Sequence, residues 1–364
     1  MTAAGDDALD RARTAMSAAG VDALLVGPGA DLLYLTGYEA LPLERLTLLV
    51  ATADGDTTLF VPELERPRAQ AAPLPADVTV ASFGETEDPY ALVAGVLDGA
   101  KRLGVGDRLW SLFLLRLQTA LPDAGWVPAT TVTKHLRMRK SAAEIDALRR
   151  AGQAIDRVHR AVPALLHPGR TEAEVGRDIA DLIVSEGHSA VNFVIVGSGP
   201  NGASPHHETG SRVLADGDAV VVDIGGTLDA YCSDCTRNYV IGQPPKGYAE
   251  AHAALESAQA AACEATRPGV TAASVDAAAR DVLNDAGYGE NFIHRTGHGI
   301  GLEEHEDPYI VAGNDIVLEP GMAFSIEPGV YLPGRFGMRI EDIVVVTDDG
   351  CERLNTLDRS AVEV

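Results

Sequence analysis

Pro168-Gly-Arg-Thr171, opening a segment that ends at Gly187, returns as Pro268-Gly-Val-Thr271, opening one that ends at Gly287. At an offset of 100 residues, Pro168, Gly169, Thr171, Ala173, Val175, Asp181 and Gly187 match Pro268, Gly269, Thr271, Ala273, Val275, Asp281 and Gly287. A threonine before an apolar-periodic run and a glycine after it are the start and stop signals of a helix. Each segment therefore predicts a capped helix, and each is preceded by a second long helical stretch, over 142–166 and 247–266. Strand-like runs follow: Val191–Val196, Ala219–Ile224 and Thr236–Ile241 in the first half, Met322–Ile326 and Met338–Thr347 in the second. Seven matches in register speak for a duplication, two helix-helix-strand halves packed about a pseudo-twofold axis.

The strands of both halves end in acids. Val220-Val-Val-Asp223-Ile-Gly-Gly226 is an apolar strand closing on a carboxylate, and Ser233-Asp234-Cys-Thr-Arg237 opens a return strand, so a hairpin sets Asp223 and Asp234 side by side. Phe324-Ser-Ile-Glu327-Pro-Gly and Arg339-Ile-Glu341-Asp342 repeat the arrangement. Taken singly, an Asp at a strand end is a turn former and Glu-Pro-Gly a β-turn. Taken together on duplicated halves, they bring four carboxylates into one core, where repulsion and desolvation demand cations. Two divalent ions balance the charge, and oxygen ligands suit a hard metal such as Mn²⁺. His298 in Thr296-Gly-His-Gly-Ile-Gly301 breaks the symmetry: flanking glycines free its imidazole to ligate, and His305-Glu306 follows seven residues on.

These motifs resemble the metallopeptidases of the pita-bread fold, specifically the aminopeptidase P and prolidase (Xaa-Pro dipeptidase) branch of family M24. The likeness spans the whole chain. Gly29-Ala-Asp-Leu-Leu-Tyr34-Leu-Thr-Gly37 is similar to the creatinase-type N-terminal domain, and the acidic and histidine motifs follow in the family's order. The resemblance implies an α/β (α+β) architecture, with a creatinase-type domain over 1–133 and a pita-bread catalytic domain over 134–364. It implies Asp223, Asp234, His298, Glu327 and Glu341 as ligands of a dinuclear site, Asp234 and Glu341 bridging, with Mn²⁺ expected and Co²⁺ or Zn²⁺ as alternatives. A metal-activated water attacks the scissile carbonyl. Glu327 relays its proton, and His305 stabilises the oxyanion. His206 in Ser204-Pro-His-His207 corresponds to the substrate-binding histidine, His207 being the lesser candidate. Arg339, two residues before Glu341, holds a ligand carboxylate. The implied activity is exopeptidase cleavage of Xaa-Pro bonds by a homodimer, prolidase first and aminopeptidase P second. Some dipeptidase members carry an arginine four residues after the catalytic histidine to grip the substrate carboxylate; this chain has Tyr309 there.

Composition narrows the alternatives. The 364 residues carry 53 acidic against 29 basic side chains, a net charge of −24, which opposes nucleic acid and anionic membranes as partners. With 46% hydrophobic residues the chain folds around a large core, of roughly two domains at about 150 residues each. No apolar run approaches a membrane span, the opening Met-Thr-Ala-Ala-Gly-Asp-Asp is not a signal peptide, and four cysteines make no disulfide framework, so the expected setting is the cytoplasm. The first third alternates β-rich runs (Val21–Val26, Leu46–Thr52, Thr57–Pro62, Val78–Phe83) with helical ones (89–100, 112–121), a small α/β domain without a catalytic cluster. Its boundary falls near Val132–Lys140, where the basic run Lys134-His-Leu-Arg-Met-Arg-Lys140 reads as a solvated linker before a capping box, Ser141-Ala-Ala-Glu144.

Three rival readings fit parts of the sequence. Gly197-Ser-Gly-Pro-Asn-Gly202 fits the dinucleotide fingerprint G-x-G-x-x-G, but a helix must open at its third glycine and Pro205 follows. A non-catalytic binding protein on the same fold is opposed by the filled ligand positions. Cys232-Ser-Asp-Cys235 reads as two unrelated thiols on opposite strand faces, Cys232 sharing the Asp234 face as a candidate oxidation sensor.

Overall fold

The computed structural model describes residues 7–364; the opening Met-Thr-Ala-Ala-Gly-Asp, which bears on the signal-peptide expectation, lies outside the described residues. The chain divides into two compact units, up to Arg137 and from Met138 onward.

The first unit alternates α1 (Ala8–Ala19), β1 (Ala23–Val26), α2 (Ala30–Thr36), β2 (Leu48–Thr52), β3 (Thr57–Pro62), α3 (Arg66–Ala71), β4 (Val78–Phe83), α4 (Pro89–Val96), β5 (Arg102–Val105), α5 (Ser111–Ala120) and β6 (Gly125–Pro128) before α6 (Thr130–Met138). Its six strands form one mixed sheet in the order β4-β3-β2-β1-β5-β6. Leu25, Leu48, Val50, Phe60, Val93 and Leu117 fill the core between sheet and helices. The basic run departs from the expected solvated linker. It forms the last turns of α6, Arg137 pairs with Asp31 at 2.8 Å, and Lys140 is buried with Nζ 2.7 Å from Glu306.

The second unit carries the two halves. In the first, α7 (Ala142–Ala161) and α8 (Glu172–Ser185) pack on β7 (Ala190–Ser198), β8 (Ala219–Leu228) and β9 (Tyr231–Val240) through Ile155, Val175, Ile179, Val222 and Ile224. In the second, α9 (Tyr248–Ala265) and α10 (Ala272–Asp285) cover β10 (Gly297–Gly299), β11 (Glu306–Ile310), β12 (Ala323–Ile326), β15 (Asp342–Val346) and β16 (Cys351–Arg353) through Leu255, Val275, Ala279, Phe324 and Val344. Between them β13 (Gly329–Leu332) pairs with β14 (Phe336–Arg339), and β17 (Val362–Glu363) adds to β9. The repeat is carried into structure at its full offset: α8 and α10 begin at 172 and 272, capped by Thr171 and Thr271 side chains accepting from the amides of Glu174 and Ser274. Ser141 and Glu144 close the capping box of α7.

Two expectations need correction. The run 338–347 is not one strand: β14 belongs to a ribbon with β13, β15 to the sheet of β12, and Glu341 sits in the break. The β8–β9 hairpin sets Asp223 opposite Thr236 and Asp234 opposite Gly225, so the two acids share a face diagonally rather than side by side. The dinucleotide fingerprint fails as argued, since 199–203 is a short 3₁₀ turn and no α-helix opens there.

Candidate active site

The acids of β8 and β9 meet those of the second half at the floor of a cavity of about 570 Å³. Asp223 projects from the middle of β8, and Asp234 from β9 across from Gly225. A Cβ at Gly225 would lie 2.5 Å from the Phe193 ring, so the close approach needs glycine. Glu327 follows β12 and Glu341 precedes β15, just beyond the Ile326–Asp342 pair of that ladder. Asp234, His298 and Glu341 each offer a ligand atom within 4.8 Å of the others, and all three are buried.

His298 is fixed from three sides. Its amide donates to Ser325 Oγ at 3.0 Å, Gly297 allows no Cβ because one would fall 1.8 Å from the Ser325 carbonyl, and Nδ1 lies 3.1 Å from the Gly299 carbonyl. A carbonyl only accepts, so Nδ1 carries a proton and Nε2 is the ring nitrogen turned toward the carboxylates. Nε2 lies 3.2 Å from Glu327 Oε1 and 3.7 Å from Asp234 Oδ2. The surrounding bonds orient the carboxylates. Ser325 Oγ donates to Glu327 at 3.0 Å, Thr236 Oγ1 donates to Glu341 at 2.7 Å, and Arg339 donates to Asp223 while its Nη1 reaches the Tyr331 hydroxyl at 2.8 Å.

Electrostatics mark the site as built for cations. Burial, then the charges of neighbouring carboxylates, hold Asp234 and Glu341 well above the ordinary carboxylate range. Burial also opposes ionisation of Glu327, but the bond and charge of His298 outweigh it and bring its pKa to about 2. Asp223 Oδ1 and Asp234 Oδ1 are buried without a hydrogen-bond partner. Buried carboxylate oxygens that accept nothing are unusual and costly. Oxygens with free lone pairs beside an imidazole nitrogen fit hard divalent cations.

The cavity walls carry the remaining groups. His305 stacks near His298, ring centroids 4.0 Å apart, and burial followed by the His298 and Arg295 charges lowers its pKa to about 4, so it is neutral at pH 7. His206 and Pro205 line the cavity. His207 instead meets Glu172 at 2.8 Å. Sequence reasoning passed over five lining residues that matter here: Phe193, Ile195, His294, Arg295 and Glu304. His294 bonds Tyr331 at 2.8 Å, and the Arg295 guanidinium stacks 4.4 Å over the Tyr309 ring. The signal was available, since His294-Arg295 lies directly before the His298 motif. Also overlooked were two buried acids. Glu172 accepts from Ser198, Asn201, His207 and Gly210, fastening the loop that carries His206. Asp276 accepts from Thr296 and grips Arg280, which bonds the carbonyls of Phe292 and His294.

The candidate oxidation sensor does not suit its position. Cys232 is buried and its thiol is pushed up to about 12 by burial, so it stays protonated.

A duplicated helix-strand unit enclosing a cavity of converging carboxylates and histidines defines a metallopeptidase of the pita-bread class. The chain belongs to metallopeptidase family M24, whose model matches residues 146–348, with a creatinase/prolidase N-terminal domain matched over 9–139. It is 54% identical to the probable dipeptidase PepE of Mycobacterium bovis, over 97% of this chain and 95% of that one. It is 35% identical to the Xaa-Pro dipeptidase of Lactobacillus delbrueckii subsp. lactis, over 94% and 95%. The crystal structure of dipeptidase PepE from Mycobacterium ulcerans superposes with a TM-score of 0.93 at 55% identity, covering 98% of this chain and 97% of that one. The protein is thus a hydrolase of the dipeptidase and prolidase type.

Proposed function

We propose that the protein is a dinuclear metal-dependent exopeptidase that cleaves Xaa-Pro dipeptides. The carrying observation is the set of orphaned, buried carboxylate oxygens around His298 at the floor of the cavity. Asp223, Asp234, His298, Glu327 and Glu341 would hold two divalent cations, Mn²⁺ by the hardness of the donors. Those cations would supply charge balance and polarise a water and the scissile carbonyl. The chain's own groups do the rest. Glu327, ionised at neutral pH, accepts the proton of the attacking water and passes it toward the leaving nitrogen. Neutral His305 keeps an N–H to donate to the carbonyl oxygen as charge develops there. His206 orients the substrate from the cavity's edge.

Proline specificity is supported by the apolar wall of Phe193, Ile195 and Pro205. An imide nitrogen has no N–H, so such a wall suits it, whereas an ordinary amide leaves a donor unpaired. The dipeptidase form is favoured over aminopeptidase P by Arg295: its guanidinium supplies, over Tyr309, a positive partner for the C-terminal carboxylate. The protein is further proposed to act as a cytoplasmic homodimer. No helix among the described residues is long and apolar enough to cross a membrane, and Leu41, Leu43, Leu64 and Trp110 expose apolar surface on the first unit.

A hydrolysis panel under fixed Mn²⁺ loading tests the reading. Ala-Pro is expected to be cleaved well, Ala-Ala and longer Xaa-Pro-Yaa peptides poorly, and N-acetylated peptides not at all. Equal rates on Ala-Pro and Ala-Ala would overturn proline specificity, and faster cleavage of Xaa-Pro-Yaa would make the enzyme an aminopeptidase P.

A further inference from the structure

Two cysteines outside the active site lie against each other. Cys263 stands near the C-terminus of α9, and Cys351 is the first residue of β16, paired with Val346 of β15. The Cys351 thiol donates to the Cys263 carbonyl at 3.3 Å, and the Cys263 side chain interacts in turn with the Cys351 sulfur, so the two sulfurs are neighbours. Both residues are partly exposed, unlike Cys232 and Cys235, which are buried and whose thiols burial pushes up.

The pair is chemically unequal. The bond from Cys263 S–H, together with the Arg353 charge, favours the Cys351 thiolate despite partial burial. The same bond, with burial, holds Cys263 as a thiol. A cysteine whose ionisation is favoured, beside a partner that keeps its proton, has the layout of an attacking cysteine and its resolving cysteine.

We propose that Cys263 and Cys351 form a reversible intramolecular disulfide when the protein meets hydrogen peroxide. The Cys351 thiolate attacks one peroxide oxygen. The O–O bond breaks, the S–O bond of a sulfenic acid forms, and the departing hydroxide takes up a proton as water. The Cys263 sulfur then attacks the Cys351 sulfur. The S–S bond forms, the S–O bond breaks, and the second hydroxide leaves as water with the Cys263 proton. Two thiols are oxidised and one peroxide is reduced to two waters.

The bridge would fasten α9 to the edge strand of the second half's sheet. Both elements already grip Asp342, the residue after Glu341: Gln259, one helical turn before Cys263, donates to it at 2.9 Å, and Arg353 donates at 2.8 Å. Oxidation therefore locks an arrangement that exists in the reduced protein, and closing a long loop of chain raises resistance to unfolding.

The test uses the full chain, metal-loaded, treated with hydrogen peroxide, then unfolded and alkylated. The expected product has lost two hydrogens, has two cysteines protected from alkylation, yields one peptide pair linked through Cys263 and Cys351, melts at a higher temperature than the reduced protein, and reverts with dithiothreitol. Cys263→Ser should leave Cys351 open to oxidation beyond the sulfenic acid and abolish the rise in melting temperature. A bridge to Cys232 or Cys235, Cys351 sulfinic acid in the unmutated protein with Cys263 free, or four alkylatable cysteines after peroxide would each overturn the proposal.

Discussion

His298 and His305 are seven residues apart in sequence and 4.0 Å apart by ring centroid, yet they carry different burdens. Nε2 of His298 points among the carboxylates, whereas His305 stands on the cavity wall. Removing a ligand should empty the site; removing a donor that acts only as charge develops should not. His298→Ala and Asp223→Ala are therefore expected to purify without bound metal and without turnover. His305→Ala should keep its metal while kcat falls by about 10²–10³-fold, the usual cost of one oxyanion donor. Elemental analysis beside steady-state kinetics decides it, and an emptied site in His305→Ala would end the role assigned to that residue. The ligand candidates were legible because acids set into apolar runs, in pairs and twice over, have no ordinary structural use; the first half's strands run on past Asp223 and Asp234 where the sequence suggested an end. Glu172 was not legible, since a single charged residue carries no pattern until its partner is known.

At the scale of the element, the loop 199–210 depends on one carboxylate. Glu172 opens α8, is fully buried, and receives hydrogen bonds from Ser198, Asn201, His207 and Gly210, so it holds both ends of the segment bearing His206. Glu172→Gln keeps the shape but exchanges a charged acceptor for a group that must also donate, against donors already aimed at it. The expected result is KM raised about tenfold with metal content unchanged and kcat lowered less, because substrate positioning is lost and not the chemistry. Glu172→Asp, which keeps the charge, should recover part of the loss. A fall in kcat alone would show that the loop does not orient substrate. Helices α8 and α10 could be read from sequence because their starts are local: a threonine accepts from an amide three residues on. The break at Glu341 could not. An alternating apolar run looks the same whether it keeps one partner or changes from β13 to β12, and the choice of partner is tertiary. Lys140 misled for the same reason, since Glu306, which buries its charge, is far along the chain.

At the scale of the whole molecule, stability in acid turns on a histidine remote from the cavity. His159, on α7, is buried between the Cys235 carbonyl, 3.0 Å from Nε2, and the Tyr239 hydroxyl, 2.9 Å from Nδ1. The carbonyl can only accept, so the neutral ring donates from Nε2, while the Tyr239 hydroxyl on its other side donates to the His159 backbone carbonyl at 3.1 Å. Burial outweighs the favourable Cys235 carbonyl and, with the Arg237 charge, takes its pKa from 6.5 to about 3. Between those values the unfolded chain binds a proton that the folded chain refuses, so stability is complete above the unfolded pKa and declines as pH falls toward 3. From pH 7 to pH 5 this one group should remove ~2 kcal/mol. Acid also protonates paired carboxylates, so only comparison with a variant isolates the histidine. His159→Gln is expected to cost about 1–3 kcal/mol at pH 7 by disturbing the two bonds, and then to lose ~2 kcal/mol less than the unmutated protein on going to pH 5. Denaturant unfolding of both proteins at the two pH values measures the difference. Parallel losses would mean that the acid sensitivity lies elsewhere, in the carboxylates alone.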